Sequence, residues 1–146
     1  MIVIDTIYNK KTNFIKFNNF PNKYVKLLKK TALVVLKCEK IKKYYLNFVI
    51  IDDNDMEKIN FFYKKKKEKT DIISFLLIPK YFVGDIYISK EYTKKQAKKN
   101  KILWKYELSY LIIHGILHFC GYKDYDYNSM KKMFRRQNVL FNSIFN

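Results

Sequence analysis

Trp104-Lys105-Tyr106-Glu107-Leu108-Ser109-Tyr110-Leu111-Ile112-Ile113-His114-Gly115-Ile116-Leu117-His118-Phe119 is the stretch on which the fold turns. Leu108, Leu111, Ile112 and Leu117 leave little of its surface polar, and a helix that is apolar on most sides belongs at the centre of a domain. Gly121 stops the helix, since glycine adopts the left-handed conformation at helix ends without penalty. Both histidines of the chain lie inside the helix, His114 and His118, one turn apart and therefore facing the same way. After the turn at Gly121 the chain runs back toward them, so that Asp124 approaches the same point in space.

Outward from this helix the pattern alternates between helical and extended segments. Val25, Leu28, Ala32 and Leu36 recur at helical intervals and predict an amphipathic helix over 23–37, after Pro21 and Asn22. Residues 44–51, rich in β-branched and aromatic types, read as a buried strand. Asp52, Asp53 and Asn54 form a turn and helix-start signal ahead of a short helix over 56–63. Lys64-Lys65-Lys66-Lys67 reads as a solvated loop. Strands are expected over 71–77 and 85–89, with Pro79 and Gly84 as the loop markers between them. A polar, Lys-rich helix or helical loop is expected over 91–100. A last helix over 128–145 carries Met130, Met133, Phe134, Leu140, Phe141 and Ile144 on one face. Without strict βαβ alternation the class is α+β, in a single domain over residues 1–146. The metal site is expected on the long helix and the turn after it.

The formal net charge is +17, from 30 Lys+Arg against 13 Asp+Glu, which suits a polyanionic partner such as nucleic acid or an acidic membrane surface. Only Arg135 and Arg136 are arginines, and abundant Lys, Ile, Asn, Phe and Tyr is also what an AT-rich genome encodes, so composition alone leaves both readings open. Cys38 and Cys120 form no C-x-x-C pair, the start of the chain has no basic segment followed by a long apolar core, and the apolar runs fall far short of the roughly 18 residues of a membrane span. A soluble, cytoplasmic protein free of disulfides is expected.

The spacing H-x-x-x-H-x-x-G-x-x-D is similar to the ligand frame of zinc hydrolases carrying H-E-x-x-H-x-x-G-x-x-H. Gly115 stands where those enzymes have their glutamate, so the base a metallopeptidase uses to activate water is missing and a peptidase is disfavoured. Core histidines beside an ordinary turn aspartate are the bland alternative, but both histidines landing at i and i+4 before a glycine and an acid favours a metal. Cys120 faces away and reads as a small buried side chain rather than a ligand.

His114-Gly115-Ile116-Leu117-His118-Phe119-Cys120-Gly121-Tyr122-Lys123-Asp124 resembles the signature H-G-x-L-H-x-x-G-Y-D-H of the YbeY family of bacterial endoribonucleases. Upstream, Thr70-Asp71-Ile72-Ile73-Ser74-Phe75 is similar to the family's T-D-V-L-S-F-P, and Gly84-Asp85-Ile86-Tyr87-Ile88-Ser89 to its G-D-I-x-I-S. The resemblance implies a zinc-dependent, single-strand-specific endoribonuclease of the cytoplasm, with one Zn²⁺ per chain. It would act in ribosomal RNA maturation, notably at the 3′ end of the small-subunit RNA, and in ribosome quality control. Its implied partners are single-stranded RNA, ribosomal RNA and the ribosome, with neither a membrane nor DNA expected. The fold it implies is a small mixed β-sheet flanked by helices, with the metal at the end of the long helix in a basic groove.

Three departures from the family pattern matter, the third of which, at Leu76, alters the end of a strand but touches no reacting group. Asp124 replaces the third histidine, with Lys123 where the family has aspartate; a carboxylate lowers the net positive charge of the site and loosens selectivity toward Mn²⁺ and other divalent ions. Asp126 is the alternative third ligand. Lys64, after Tyr63, corresponds to the family's basic residue thought to serve the phosphate, keeping the charge but losing a bidentate fork. Leu76 replaces a proline. For phosphodiester cleavage Lys64 is the candidate cation for transition-state charge, and the nucleophile is either a metal-activated water or an RNA 2′-hydroxyl. Ser74 and Asp85 read as structural or supporting residues. The competing reading is a non-catalytic ribosome- or RNA-binding module that retains a weak metal site.

Overall fold

The structure is a computed structural model and describes residues 13–64 and 70–146, the side chains of residues 63 and 64 excepted. Its elements run β1 (Phe14–Asn18), α1 (Asn22–Cys38), β2 (Tyr45–Ile51), α2 (Asp53–Lys64), β3 (Ile72–Ile78), a 3-10 turn (Pro79–Tyr81), β4 (Val83–Ser89), α3 (Lys90–Lys99), α4 (Trp104–Phe119) and α5 (Tyr127–Phe145). The strands form one mixed sheet in the order β1-β2-β4-β3, with β1 and β4 parallel to β2 and β3 antiparallel to β4. The class is the expected α+β.

Alternation builds the inner face of the sheet. Along β2, Leu46, Phe48 and Ile50 are buried while their neighbours are half-buried, the period of a strand with one face on the core. The β2–β4 register sets Leu46 beside Gly84, Phe48 beside Ile86 and Ile50 beside Ile88, so the buried residues form rows across the sheet. Helix α4 lies over these rows, and ten of its residues are buried. Two small residues let it approach. A β-carbon at Gly115 would stand 2.9 Å from Ile86 Cδ1, and one at Gly84 would collide with the Phe119 ring. Helices α1, α3 and α5 pack around α4, which makes it the central helix.

Several boundaries differ from the sequence reading for identifiable reasons. Gly84 lies inside β4 rather than in a loop, its missing side chain being what admits Phe119. Strand β1 was not anticipated; Phe14-Ile15-Lys16-Phe17-Asn18 is short, and its pairing with β2 supplies the stabilisation that its local pattern does not announce. On α5, Phe134 is 45% exposed, whereas Gln137 occupies the buried stripe with Met133 and Leu140. Among the described residues no helix is long and apolar enough to cross a membrane. Cys38 and Cys120 are unpaired thiols.

Candidate metal centre

The last turn of α4 ends in a Schellman motif: Tyr122 N–H donates to the Leu117 carbonyl at 3.1 Å and Gly121 N–H to the His118 carbonyl at 3.0 Å. Gly121 has φ +99°, a backbone region other residues enter only with strain, and nothing lies within 4 Å of where its β-carbon would be. The reversal has two consequences. It brings the Tyr122 carbonyl to the His118 ring, where Nδ1 donates to it at 3.0 Å, and it brings the Asp124 carboxylate to the outer edge of both imidazoles.

On that edge three atoms converge. His114 Nε2 and His118 Nε2 are 3.0 Å apart, and Asp124 Oδ2 stands 3.7 Å and 3.3 Å from them. Partners on the far side of each ring fix the tautomers. The Tyr122 carbonyl can only accept, so His118 Nδ1 carries its proton. His114 Nδ1 meets Gln137 Oε1 at 3.1 Å, and the Gln137 amide is oriented by its donation to the Tyr110 carbonyl at 3.4 Å, so His114 Nδ1 also carries its proton. Both Nε2 atoms therefore present lone pairs to each other and to a carboxylate, three acceptors with no donor between them. A proton or a cation resolves this, and two imidazoles and a carboxylate are an ordinary donor set for a divalent zinc-like ion. Burial holds the His114 imidazole below its usual pKa, which keeps its lone pair available.

These groups stand in the wall of an open cavity of about 430 Å³, whose other wall is the start of β3 with Thr70, Asp71 and Ser74. Burial raises the Asp71 carboxyl above the usual carboxylate range, and the neighbouring His114 opposes that rise. Position 115 faces the sheet, so a side chain there would meet Ile86 and Ile72 rather than the cavity. Asp126 is elsewhere engaged: it caps α5, its carboxylate accepting from Ser129 N–H at 2.8 Å and from Ser129 Oγ at 2.9 Å. Ser74 lines the cavity, while the Asp85 carboxyl bonds the Asn47 side chain on the neighbouring strand. Burial and the nearby Glu39 push the Cys120 thiol up to about 12, the reverse of what a thiolate ligand requires. Lys64 closes α2, and its side chain lies outside the described residues.

A family model described as endoribonuclease YbeY matches residues 7–145. The chain belongs to the endoribonuclease YbeY family. Endoribonuclease YbeY of Endomicrobium trichonymphae is 51% identical over 136 residues, covering 93% of this chain and 96% of its own. That of Malacoplasma penetrans is 36% identical over 121 residues, covering 79% and 81%. The solution structure of a Thermotoga maritima protein, 23% identical, superposes with a TM-score of 0.68 over 90% of this chain and 89% of that one, which shows the shared fold.

Within the YbeY frame, sequence reasoning reached the three convergent side chains and missed what holds them. Asp71 was legible only as part of a motif, and the Tyr122 carbonyl has no sequence signature. Gln137 did leave one, a polar residue on the apolar stripe of α5.

Proposed function

We propose that this chain is a zinc-dependent endoribonuclease of the cytoplasm that cuts single-stranded RNA, acting in ribosomal RNA maturation at the 3′ end of the small-subunit RNA and in ribosome quality control. The observation that carries the reading is the convergence of His114 Nε2, His118 Nε2 and Asp124 Oδ2, three lone-pair donors with both rings anchored from behind, in the wall of an open cavity. YbeY membership supports the substrate class, and the net charge of +17 suits a polyanion.

His114, His118 and Asp124 would hold the ion. When bound it supplies Lewis-acid polarisation of a phosphoryl oxygen and acidification of a water molecule. The protein's own groups do the rest. Tyr122 and Gln137 hold the imidazoles so that no reorientation accompanies the reaction. Asp71, half-buried beside His114, has a carboxyl raised above the usual carboxylate range by burial and stands in the cavity wall as the candidate proton-handling group. Lys64 is the candidate for neutralising charge on the phosphate, as a point charge rather than a fork.

Elemental analysis of purified protein, run beside cleavage of a single-stranded RNA with His114→Ala as control, tests the reading. One zinc per chain and cleavage that the substitution abolishes are expected. Stoichiometric metal without cleavage would leave an RNA-binding module, and casein digestion would reveal a peptidase.

A further inference from the structure

Glu107 lies on the same face of α4 as His114, two turns nearer the helix start and about 10 Å along the axis. It is only 6% exposed, yet among the described residues its carboxylate accepts no hydrogen bond and pairs with no cation, in a chain with 30 Lys+Arg. Its position in the first turn of α4 is favourable to an acid, but the helix dipole leaves its lone pairs unfilled. Burial, and after it the nearby Asp71, raise this carboxyl above the usual carboxylate range, and a hydrogen-bond donor arriving from outside would relieve that cost.

It faces a groove of about 650 Å³ between α4 and α5, walled by the half-buried rings of Tyr106, Tyr110, Phe141 and Phe145. Gln137 links the groove wall to the metal cluster, since its side chain bonds His114 Nδ1 and donates to the carbonyl of Tyr110, a residue of the groove. A phosphate is excluded by the carboxylate. A divalent ion needs several oxygen or nitrogen donors, and Asn138 Oδ1 is already taken by the Tyr110 hydroxyl at 3.2 Å. Aromatic walls around one buried acceptor suit a flat heterocycle with N–H donors on its edge, the way unpaired RNA bases are read.

We infer that the groove is a nucleobase subsite for the single-stranded RNA, in which the Glu107 carboxylate accepts the N–H edge of a base lying against the tyrosine and phenylalanine rings. Guanine, with two adjacent donors on its Watson–Crick edge, is the base that fits a carboxylate best. The inference rests on the RNA-cleaving reading and deepens it, giving the protein a base preference a short distance along the strand from the cut.

The test is fluorescence anisotropy with the zinc-loaded protein and cleavage-resistant 2′-O-methyl phosphorothioate oligouridylates carrying one internal guanine or adenine. Wild type should bind the guanine oligomer about tenfold tighter. Glu107→Gln, which keeps the shape, should erase that preference while leaving zinc stoichiometry and adenine-oligomer binding unchanged. Tyr110→Leu, closer to the rim, should weaken the guanine oligomer at least about threefold by removing a ring. Equal affinity for the two oligomers in wild type, or a preference that survives Glu107→Gln, overturns the subsite alone. Absence of binding to either oligomer overturns the RNA reading along with it.

Discussion

Asp124 and Asp126 stand two residues apart in one turn, and either carboxylate is chemically able to hold a divalent ion. The fold treats them differently. Gly121 fixes how far the chain travels before α5 begins, so Asp126 falls at the N-cap and its two oxygens are taken by Ser129. Asp124, still half-exposed and outside the helix, is left pointing at the imidazoles. Residue type alone therefore does not select a ligand in a short turn; the helix that follows removes one candidate by giving it other work.

The largest expected effect is on His118, which contributes an Nε2 lone pair and, through Nδ1, ties the turn to α4. His118→Ala should abolish stoichiometric zinc binding while leaving a folded protein by circular dichroism; a full complement of zinc in the variant would remove the site. Next comes Gln137, which touches only the back of His114. Gln137→Leu should weaken zinc about 10- to 100-fold, the usual size of losing the hydrogen bond behind a ligand, and unchanged affinity in a competition titration would mean that the ring needs no anchor.

Gly121→Ala probes the turn that separates the two aspartates. No atom obstructs the new methyl group, so its cost is backbone strain alone, about 1–2 kcal/mol. A lower melting temperature together with weaker zinc binding is expected, and a variant as stable as wild type would show that the turn relaxes freely. The smallest effect belongs to Asp126. Hydrogen bonds from Ser129 hold its carboxyl below the usual carboxylate range. Its contribution to stability is therefore fully present above the ordinary carboxylate pKa and is lost as pH falls through the lower folded value. Asp126→Ala should reduce stability slightly at neutral pH and not at all in strong acid, as followed by thermal melts across pH.

Much of this arrangement was legible in the sequence because it rests on periodicity. The buried face of α4, the alternation of β2 and the i, i+4 spacing of the histidines are each local patterns that tertiary contacts reinforce. Features created by packing between distant segments were not legible. Gly84 looks like a turn residue until Phe119 of α4 is laid over it. Phe134, expected on the buried face, is turned outward, and Gln137 is buried instead where α5 presents it to His114, a contact across 23 residues. Strand β1 depends on its parallel neighbour β2, and Asp71 becomes part of the site only when the start of β3 closes the cavity opposite α4.

We propose that Asp124 completes the metal site in place of the third histidine of the family signature. Isothermal titration of metal-free protein with zinc, comparing Asp124→Ala, Asp124→His and Asp126→Ala with wild type, tests it most directly. Asp124→Ala should lose affinity by a large factor, Asp124→His should keep or raise it by supplying a third imidazole, and Asp126→Ala should match wild type. Equal zinc affinity in Asp124→Ala and wild type, with loss in Asp126→Ala, would contradict the account.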